Sequence, residues 1–424
     1  MKKYPFILYL ILSSLRSIAQ NELSYNNAIG SFTKYYNTGH ADSLFDILSP
    51  EFKTAFPLPK LVGLFGNLKA QLGSLNNYSL LSSDAKEAVY KSSFQNAIMA
   101  IHISLTKDNL IGGLFIGKYD PKEYSPDPLV PEFPFELATA TGTISGTITF
   151  PSDVSTKVPI VLIIAGSGPT NRNGNSPALG INPFTYKLLA DFLCKEKIAT
   201  LRYDKRGVGK STTSKTESDL RFDDFVEDAA NIINRLRDDG RFSKVIVMGH
   251  SEGSLIGMLA IEHSPASGFI SVAGPSESVD KLLAKQFETA PKALQAKLGI
   301  VMASLRNGKV DSDVDSSLYA LVRPSVQPYL ISWMKYAPQA EIKKISVPVL
   351  ILQGGNDIQV DPLNAQALKM AEPAAQLQII KGMNHILKQA PENRDQNIAT
   401  YYNSSLPLDT QFVKAVTDFV NKVR

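Results

Sequence analysis

Apolar positions change their period twice along this chain. Between residue 22 and about residue 120 they recur first at helical spacing, at Ile29, Phe32, Tyr35 and Tyr36 and again at Leu44, Phe45, Ile47 and Leu48. A third helix is expected from Leu58 to about Ala70. The period then shortens to two: Phe94 to Leu105, where Ile101, Ile103 and Leu105 alternate with His102 and Ser104, and Leu110 to Ile116 read as strands. Pro121, Pro126, Pro128, Pro131 and Pro134 mark a linker over 121–134, because proline cannot supply the N–H a central strand needs. From Phe135 onward a hairpin pair, Phe135–Thr139 and Thr143–Phe150, precedes a series of short apolar runs. These are Val158–Ala165, Ile198–Tyr203, Val245–Gly249, Phe269–Ala273, Val349–Gln353 and Leu377–Ile380, separated by helical stretches. Strands and helices in alternation predict the α/β class, with a mostly parallel sheet covered on both faces. The rhythm breaks once. Residues 275–346 carry helical patterns at Val279–Thr289, Lys292–Arg306 and Tyr329–Tyr336, and read as a helical lid inserted between neighbouring strands.

Composition narrows the class without changing the architecture. A chain of 424 residues exceeds one ordinary domain, and 44% hydrophobic with 20% charged residues is the balance of a soluble globular protein. The formal charge is only +4 and no run of five basic residues occurs, so nucleic acid is not an expected partner. With Cys194 as the single cysteine there is no internal disulfide or cysteine-built zinc site, and no cluster has metal-ligand spacing; no metal or cofactor is expected. At the N-terminus Lys2 and Lys3 precede the apolar run Pro5–Leu12, and Ser17-Ile18-Ala19 has the small-x-small form of a cleavage site. The run is short of the roughly 20 residues a spanning helix needs. A signal peptide over 1–19 is therefore expected, with an exported, periplasmic or extracellular protein and no stable membrane insertion after cleavage. No cysteine follows the site to carry a lipid.

The candidate chemistry centres on Gly249-His250-Ser251-Glu252-Gly253. Gly-x-Ser-x-Gly arises by chance in roughly one chain in ten of this length, but here the strand Val245–Met248 enters it and Ser254–Ala260 leaves it as a helix. Such a tight strand-to-helix turn strains the serine backbone, needs glycines where the two elements touch, and projects the hydroxyl at the positive end of the helix. A serine hydroxyl needs a base. Of the five histidines, His40 and His102 fall in the N-terminal unit, His263 lies some ~18 Å down the helix at 1.5 Å per residue, and His250 is expected to pack beside the turn and border the pocket. His385, just past the last strand, remains as the base. Its acid partner is expected to be Asp357, in the loop after Val349–Gln353; the rival Asp361 precedes Pro362 and reads as a helix cap. Charge developing on a substrate oxygen requires N–H donors. Those expected are the backbone of Glu252 and of Ser167, in Gly166-Ser167-Gly168-Pro169, with Gly168 as the alternative. Asn171 and Arg172 are expected to line the same mouth. Trp333, Met334 and Tyr336 are candidates to line the pocket, with packing inside a helical core as the alternative.

Together, Gly166-Ser167-Gly168-Pro169, Arg202-Tyr203-Asp204-Lys205-Arg206-Gly207-Val208-Gly209, Gly249-His250-Ser251-Glu252-Gly253 and Gly382-Met383-Asn384-His385 resemble the bacterial esterase and serine-aminopeptidase-like branch of the α/β-hydrolases. The resemblance covers about residues 135–424 and departs from the family at Asn171 and Asn173, where acids are common. It implies an α/β-hydrolase sheet, Ser251, Asp357 and His385 as a triad, and a structural Arg202–Ser211 loop whose Asp204 and Arg206 bond to neighbouring loops. Several such proteins carry a small extra N-terminal domain. The element order of residues 22–120 is similar to the α+β nuclear-transport-factor-2-like domains. The expected activity is cleavage of carboxylic esters through an acyl-Ser251 intermediate. An aminopeptidase or acylpeptide hydrolase, with Glu252 holding a substrate amine, is the first alternative. An N-terminal binding or dimerisation module on an inactive hydrolase scaffold is the second. The expected partner is a small ester or short peptide, and homodimerisation or packing against the lid is the default role for the N-terminal unit.

Overall fold

The structure, a computed structural model, describes residues 22–83, 87–119, 130–179, 181–288 and 290–423. The expected signal peptide and Pro121, Pro126 and Pro128 lie outside them. The chain divides into two compact units, Met1–Glu123 with Tyr402–Ser404, and Tyr124–Tyr401 with Ser405–Arg424.

In the first unit, helices precede strands. Helix Glu22–Thr38 buries Tyr25, Ile29, Phe32 and Tyr36, which share one face at spacings of four, three and four. Leu44 and Leu48 extend that core, and helix Leu58–Leu72 adds Leu61 and Phe65, whose ring meets Tyr36 edge-on at 5.5 Å. Strands β1 (Leu75–Ser83), β2 (Ala88–Phe94), β3 (Ile98–Leu105) and β4 (Ile111–Lys118) form an antiparallel sheet in sequence order. This α+β unit contains two strands more than the periodicity suggested. β1 reads Leu-Asn-Asn-Tyr-Ser, so its asparagines and serines resemble turn chemistry, and β2 is likewise half polar. The expected strand start at Phe94 is corrected to Ile98. Phe94 closes β2, and its N–H bonds the Ala97 carbonyl at 2.8 Å across a tight turn. His102 sits half-exposed on β3 beside Glu87.

The second unit holds eight strands: β5 (Glu132–Thr139), β6 (Gly142–Thr149), β7 (Val158–Ile164), β8 (Ala199–Tyr203), β9 (Phe242–His250), β10 (Gly268–Val272), β11 (Val349–Gly354) and β12 (Gln376–Ile380). Their order is β12-β11-β10-β9-β7-β8-β6-β5, parallel from β12 to β8 and antiparallel at the β8–β6 and β6–β5 pairs. β5 begins inside the segment expected to be linker and includes Pro134. As an edge strand, it can turn that residue's missing donor away from its one partner.

Central strands are buried on both faces, which is why they read as unbroken apolar runs. In β7, Ile160, Leu162 and Ile164 enter one core and Val161 and Ile163 the other. The first core is covered by helices Phe222–Arg237 and Glu252–His263, the second by Thr185–Lys195 and Thr410–Lys422. Local signals fix the ends. Asp224 accepts the Arg221 N–H at 2.9 Å, Arg235 and Arg237 occupy that helix's last turn, and Asp409 accepts the N–H groups of Gln411 and Phe412 at 2.8 and 3.0 Å.

Strands β10 and β11 are paired neighbours, and the chain between them forms helices including Val279–Gln286, Lys292–Arg306 and Gln327–Trp333. This insertion is bolted to the sheet's first face. Phe222, fully buried, stacks on Trp333 with centroids 5.3 Å apart and planes at 9°, and its N–H bonds Ser332 Oγ at 2.8 Å. Trp333 thus packs within the helical core, the alternative the sequence left open for it. Among the described residues, no helix is long and apolar enough to cross a membrane. Truncating Phe222 to alanine should leave a cavity at this joint and destabilise the second unit by about 3–5 kcal/mol. Urea unfolding measures this, and a loss below about 1 kcal/mol would show that the joint carries little.

Candidate active site

The loops that matter leave the carboxyl ends of parallel strands, where an open α/β sheet presents its ligands. β9 ends in the turn at Ser251, and helix Glu252–His263 begins at the next residue. Ser251 has φ +55° and ψ −122°, a conformation that L side chains seldom adopt. The turn closes because three neighbouring residues lack a Cβ. One on Gly249 would overlap the Gly253 carbonyl, one on Gly253 would overlap the Ile164 and Ala165 carbonyls, and one on Gly166 would sit 3.1 Å from Ser251 Cβ. Ser251 N–H bonds the Val272 carbonyl at 2.8 Å and its own carbonyl accepts Ser254 N–H at 2.9 Å. Glu252 N–H, at the first helical position, has no intrahelical acceptor. Ser251 Oγ makes no hydrogen bond among the described residues. Bonds from such hydroxyls are often long before substrate arrives.

Asp357, in the loop after β11, is a fully committed carboxylate. Oδ2 accepts His385 Nδ1 at 2.8 Å and Gln353 Nε2 at 3.0 Å, while Oδ1 accepts the N–H groups of Gln359 and Val360 at 2.8 and 2.9 Å. Burial pushes its pKa up, but the neighbouring His385 charge, its hydrogen bond and the two backbone donors outweigh that and hold it below the usual carboxylate range. Asp361 instead accepts Leu363 N–H at 2.8 Å at the start of the next helix. His385 lies in the loop after β12. That loop is pinned by Thr185 Oγ1 on the Ile386 carbonyl at 3.1 Å and by Asn384 Nδ2 on Thr400 Oγ1 at 2.8 Å.

His250 joins these loops. Gly166 N–H donates to the Tyr186 hydroxyl at 3.2 Å, so that hydroxyl turns its own proton to His250 Nδ1 at 2.8 Å. This leaves His250 Nε2 to donate to the His385 carbonyl at 2.9 Å. The His250 and His385 rings lie 4.8 Å apart. Burial, then the nearby His385, drive the His250 pKa down to about 3, so the ring stays neutral. Both His250 nitrogens are therefore used by the protein, and the ring ties two loops beside the turn.

The other expected lining residues also make bonds within the protein. Arg172 forms a fork on Asp204, Nε at 3.0 Å and Nη2 at 2.7 Å, and also reaches Thr147 and Ser145. Asn171 Oδ1 accepts the N–H groups of Asn173 and Asn175 and so braces its own loop. Arg206 pairs with Asp228 through Nε and Nη2 at 2.6 and 2.7 Å. Ser167, Gly168 and Pro169 of the expected mouth are exposed, with Gly168 at φ +74° in open space.

The Glu252 side chain is 2% exposed, accepts the Tyr329 hydroxyl, and has Lys205 Nζ 3.8 Å from its other oxygen. It is not free to hold a substrate amine. Tyr186, Lys205 and Tyr329 escaped sequence reasoning because each bonds a residue remote in the chain. The turn-like stretch at Gly166 held the one hint, since a loop so close to Ser251 must be fastened by something.

Residues 184–391 match the family described as "Serine aminopeptidase, S33". Esterase EstD of Thermotoga maritima is 24% identical over 346 residues, covering 78% of this chain and 79% of that protein. Monoglyceride lipase of Rattus norvegicus is 28% identical over 230 residues, 49% of this chain and 73% of that one. Among solved structures, Est1E from Butyrivibrio proteoclasticus with bound ferulic acid aligns over 68% of this chain and 98% of its own, at 15% identity and a TM-score of 0.47. The chain is thus similar in sequence to esterases, a monoglyceride lipase and the serine aminopeptidase family.

A neutral, buried His250 has a consequence for stability. In the unfolded chain it takes up a proton below about pH 6.5, whereas in the fold it does so only at about 3. Unfolding therefore binds a proton in that window, and stability falls as pH falls through it. His250→Gln, which keeps a side-chain donor, should lose less stability than the native protein between pH 7.5 and 5.0 in urea unfolding. Equal losses would mean that His250 is charged in the fold.

Proposed function

We propose that the protein cleaves carboxylic esters through an acyl-Ser251 intermediate, with His385 as general base and Asp357 as its orienting acid. The observation that carries this reading is the 2.8 Å bond from His385 Nδ1 to a buried, four-bonded Asp357, with the ring of His385 lying 4.8 Å from that of His250, the residue before a serine held in a strained strand-to-helix turn. Asp357 fixes the tautomer with Nδ1 protonated, which leaves Nε2 as the base. Ser251 Oγ bonds to the substrate carbonyl carbon as its proton passes to His385 Nε2. The carbonyl oxygen takes the negative charge and is met by the N–H groups of Ser167 and Glu252. Collapse breaks the ester C–O bond, and His385 returns its proton to the departing alcohol. Water then repeats the sequence on the acyl-enzyme, giving the free acid and restoring Ser251.

Amide cleavage by the same triad is the second reading, favoured by the name of the matched family. The spent Glu252 carboxylate argues against its aminopeptidase form, since the acid nearest the nucleophile is neutralised by Lys205 and Tyr329. The names of the two curated relatives, an esterase and a monoglyceride lipase, support ester chemistry.

The expected specificity constant for short-chain p-nitrophenyl esters exceeds that for aminoacyl p-nitroanilides by more than about tenfold, roughly 1.4 kcal/mol. The opposite preference rejects the ester reading. Ser251→Ala should abolish both turnover and labelling by a fluorophosphonate, while His263→Ala retains both. Asp357→Asn should lower kcat by about 10⁴-fold through the wrong tautomer, and a loss under tenfold would remove Asp357 from the mechanism.

A further inference from the structure

The peptide unit that carries the Ser167 N–H is gripped from behind. Its carbonyl, that of Gly166, accepts Lys205 Nζ at 2.6 Å, from a lysine side chain that is 6% exposed. A trans peptide is planar, so its C=O and N–H point in opposite directions. Fixing the Gly166 oxygen therefore fixes where Ser167 N–H aims. An ammonium at the carbonyl end also draws charge along the amide, and a polarised amide is a stronger donor. The neighbouring peptide is held too, since Gly166 N–H rests on the Tyr186 hydroxyl at 3.2 Å.

The same ammonium faces the residue that carries the other donor. Lys205 Nζ lies 3.8 Å from Glu252 Oε2, and Tyr329 of the helical insertion donates to Oε1. Burial holds the Tyr329 pKa well above its ordinary value, so its hydroxyl stays a donor. Lys205 comes from the loop directly after β8, and thus one side chain touches both halves of the anion-binding turn. A lysine that served only to neutralise Glu252 would have no need to reach the Gly166 carbonyl.

We propose that Lys205 is a positioning residue for the oxyanion hole, aiming and polarising Ser167 N–H through the Gly166 carbonyl while anchoring Glu252 beside it. This rests on the reading of Ser251 as nucleophile and of Ser167 and Glu252 as the N–H donors. The lysine acts through the backbone and touches no substrate atom.

The test uses Lys205→Met and Lys205→Gln in the full chain, with p-nitrophenyl butyrate as substrate and an alkyl trifluoromethyl ketone as inhibitor. The ketone adds to the serine and places an oxyanion where the substrate's would form. Lys205→Met should lower kcat by about ten- to a hundredfold, less than the 10²–10³ lost with a whole donor, with KM changed less than threefold. Ketone affinity should weaken by the same factor as kcat/KM. Lys205→Gln, which keeps a neutral donor, should recover part of both, and it carries the same comparison if the methionine variant does not fold. A folded Lys205→Met within threefold of native kcat/KM overturns the proposal. So does a rate loss that leaves ketone affinity unchanged, or one confined to KM. Turnover by the native protein that does not depend on Ser251 would instead overturn the functional reading on which this rests.

Discussion

The strained backbone of Ser251 is the constraint on which the rest of the site depends. At φ +55° and ψ −122° it occupies a conformation costing on the order of 1–3 kcal/mol. It persists because surrounding structure leaves no alternative. β7, β9 and the 252–263 helix approach so closely at Gly166, Gly249 and Gly253 that a single added methyl at either elbow glycine meets backbone oxygen. That approach requires β7 and β9 to be neighbours and the helix to leave β9 without a linking loop, which is the order the sheet has. Asp357 and His385 then follow the carboxyl ends of β11 and β12 in the same sheet.

Buried polar groups around this turn work as ties between loops. His250, neutral and bonded at both nitrogens, links Tyr186 to the His385 carbonyl. Asp357 carries its charge in the interior because donors surround both oxygens. Glu252 does so through Lys205 and Tyr329. Each tie spans a long stretch of sequence, so the site's geometry is a property of the folded sheet and its loops together. No one segment could hold it alone.

Much of the architecture was legible in the sequence because burial imposes period. The unbroken runs of β7, β9 and β11 announced strands covered on both sides, and the missing strand between β10 and β11 announced the helical insertion. Less was legible where side chains satisfy two demands at once. β1 and β2 went unassigned, since their half-polar faces imitate loop composition. Pro134 looked like linker because edge position is a property of sheet order. Among the site residues, Ser251, Asp357 and His385 could be nominated from chain order and local chemistry. Arg172, Asn171, His250 and Trp333 were nominated for proximity to the pocket, and each makes contacts within the fold that the sequence alone did not specify. Sequence spacing tells which residues are near; only the hydrogen-bond partners tell which remain free.

The most direct measurement is the crystal structure of the protein inhibited by an alkyl p-nitrophenyl phosphonate. The account predicts a phosphorus bonded to Ser251 Oγ, with the phosphoryl oxygen about 2.7–3.1 Å from the N–H groups of both Ser167 and Glu252 and His385 Nε2 turned toward the adduct. Phosphorus on any other residue, or a phosphoryl oxygen facing away from both N–H groups, would contradict it.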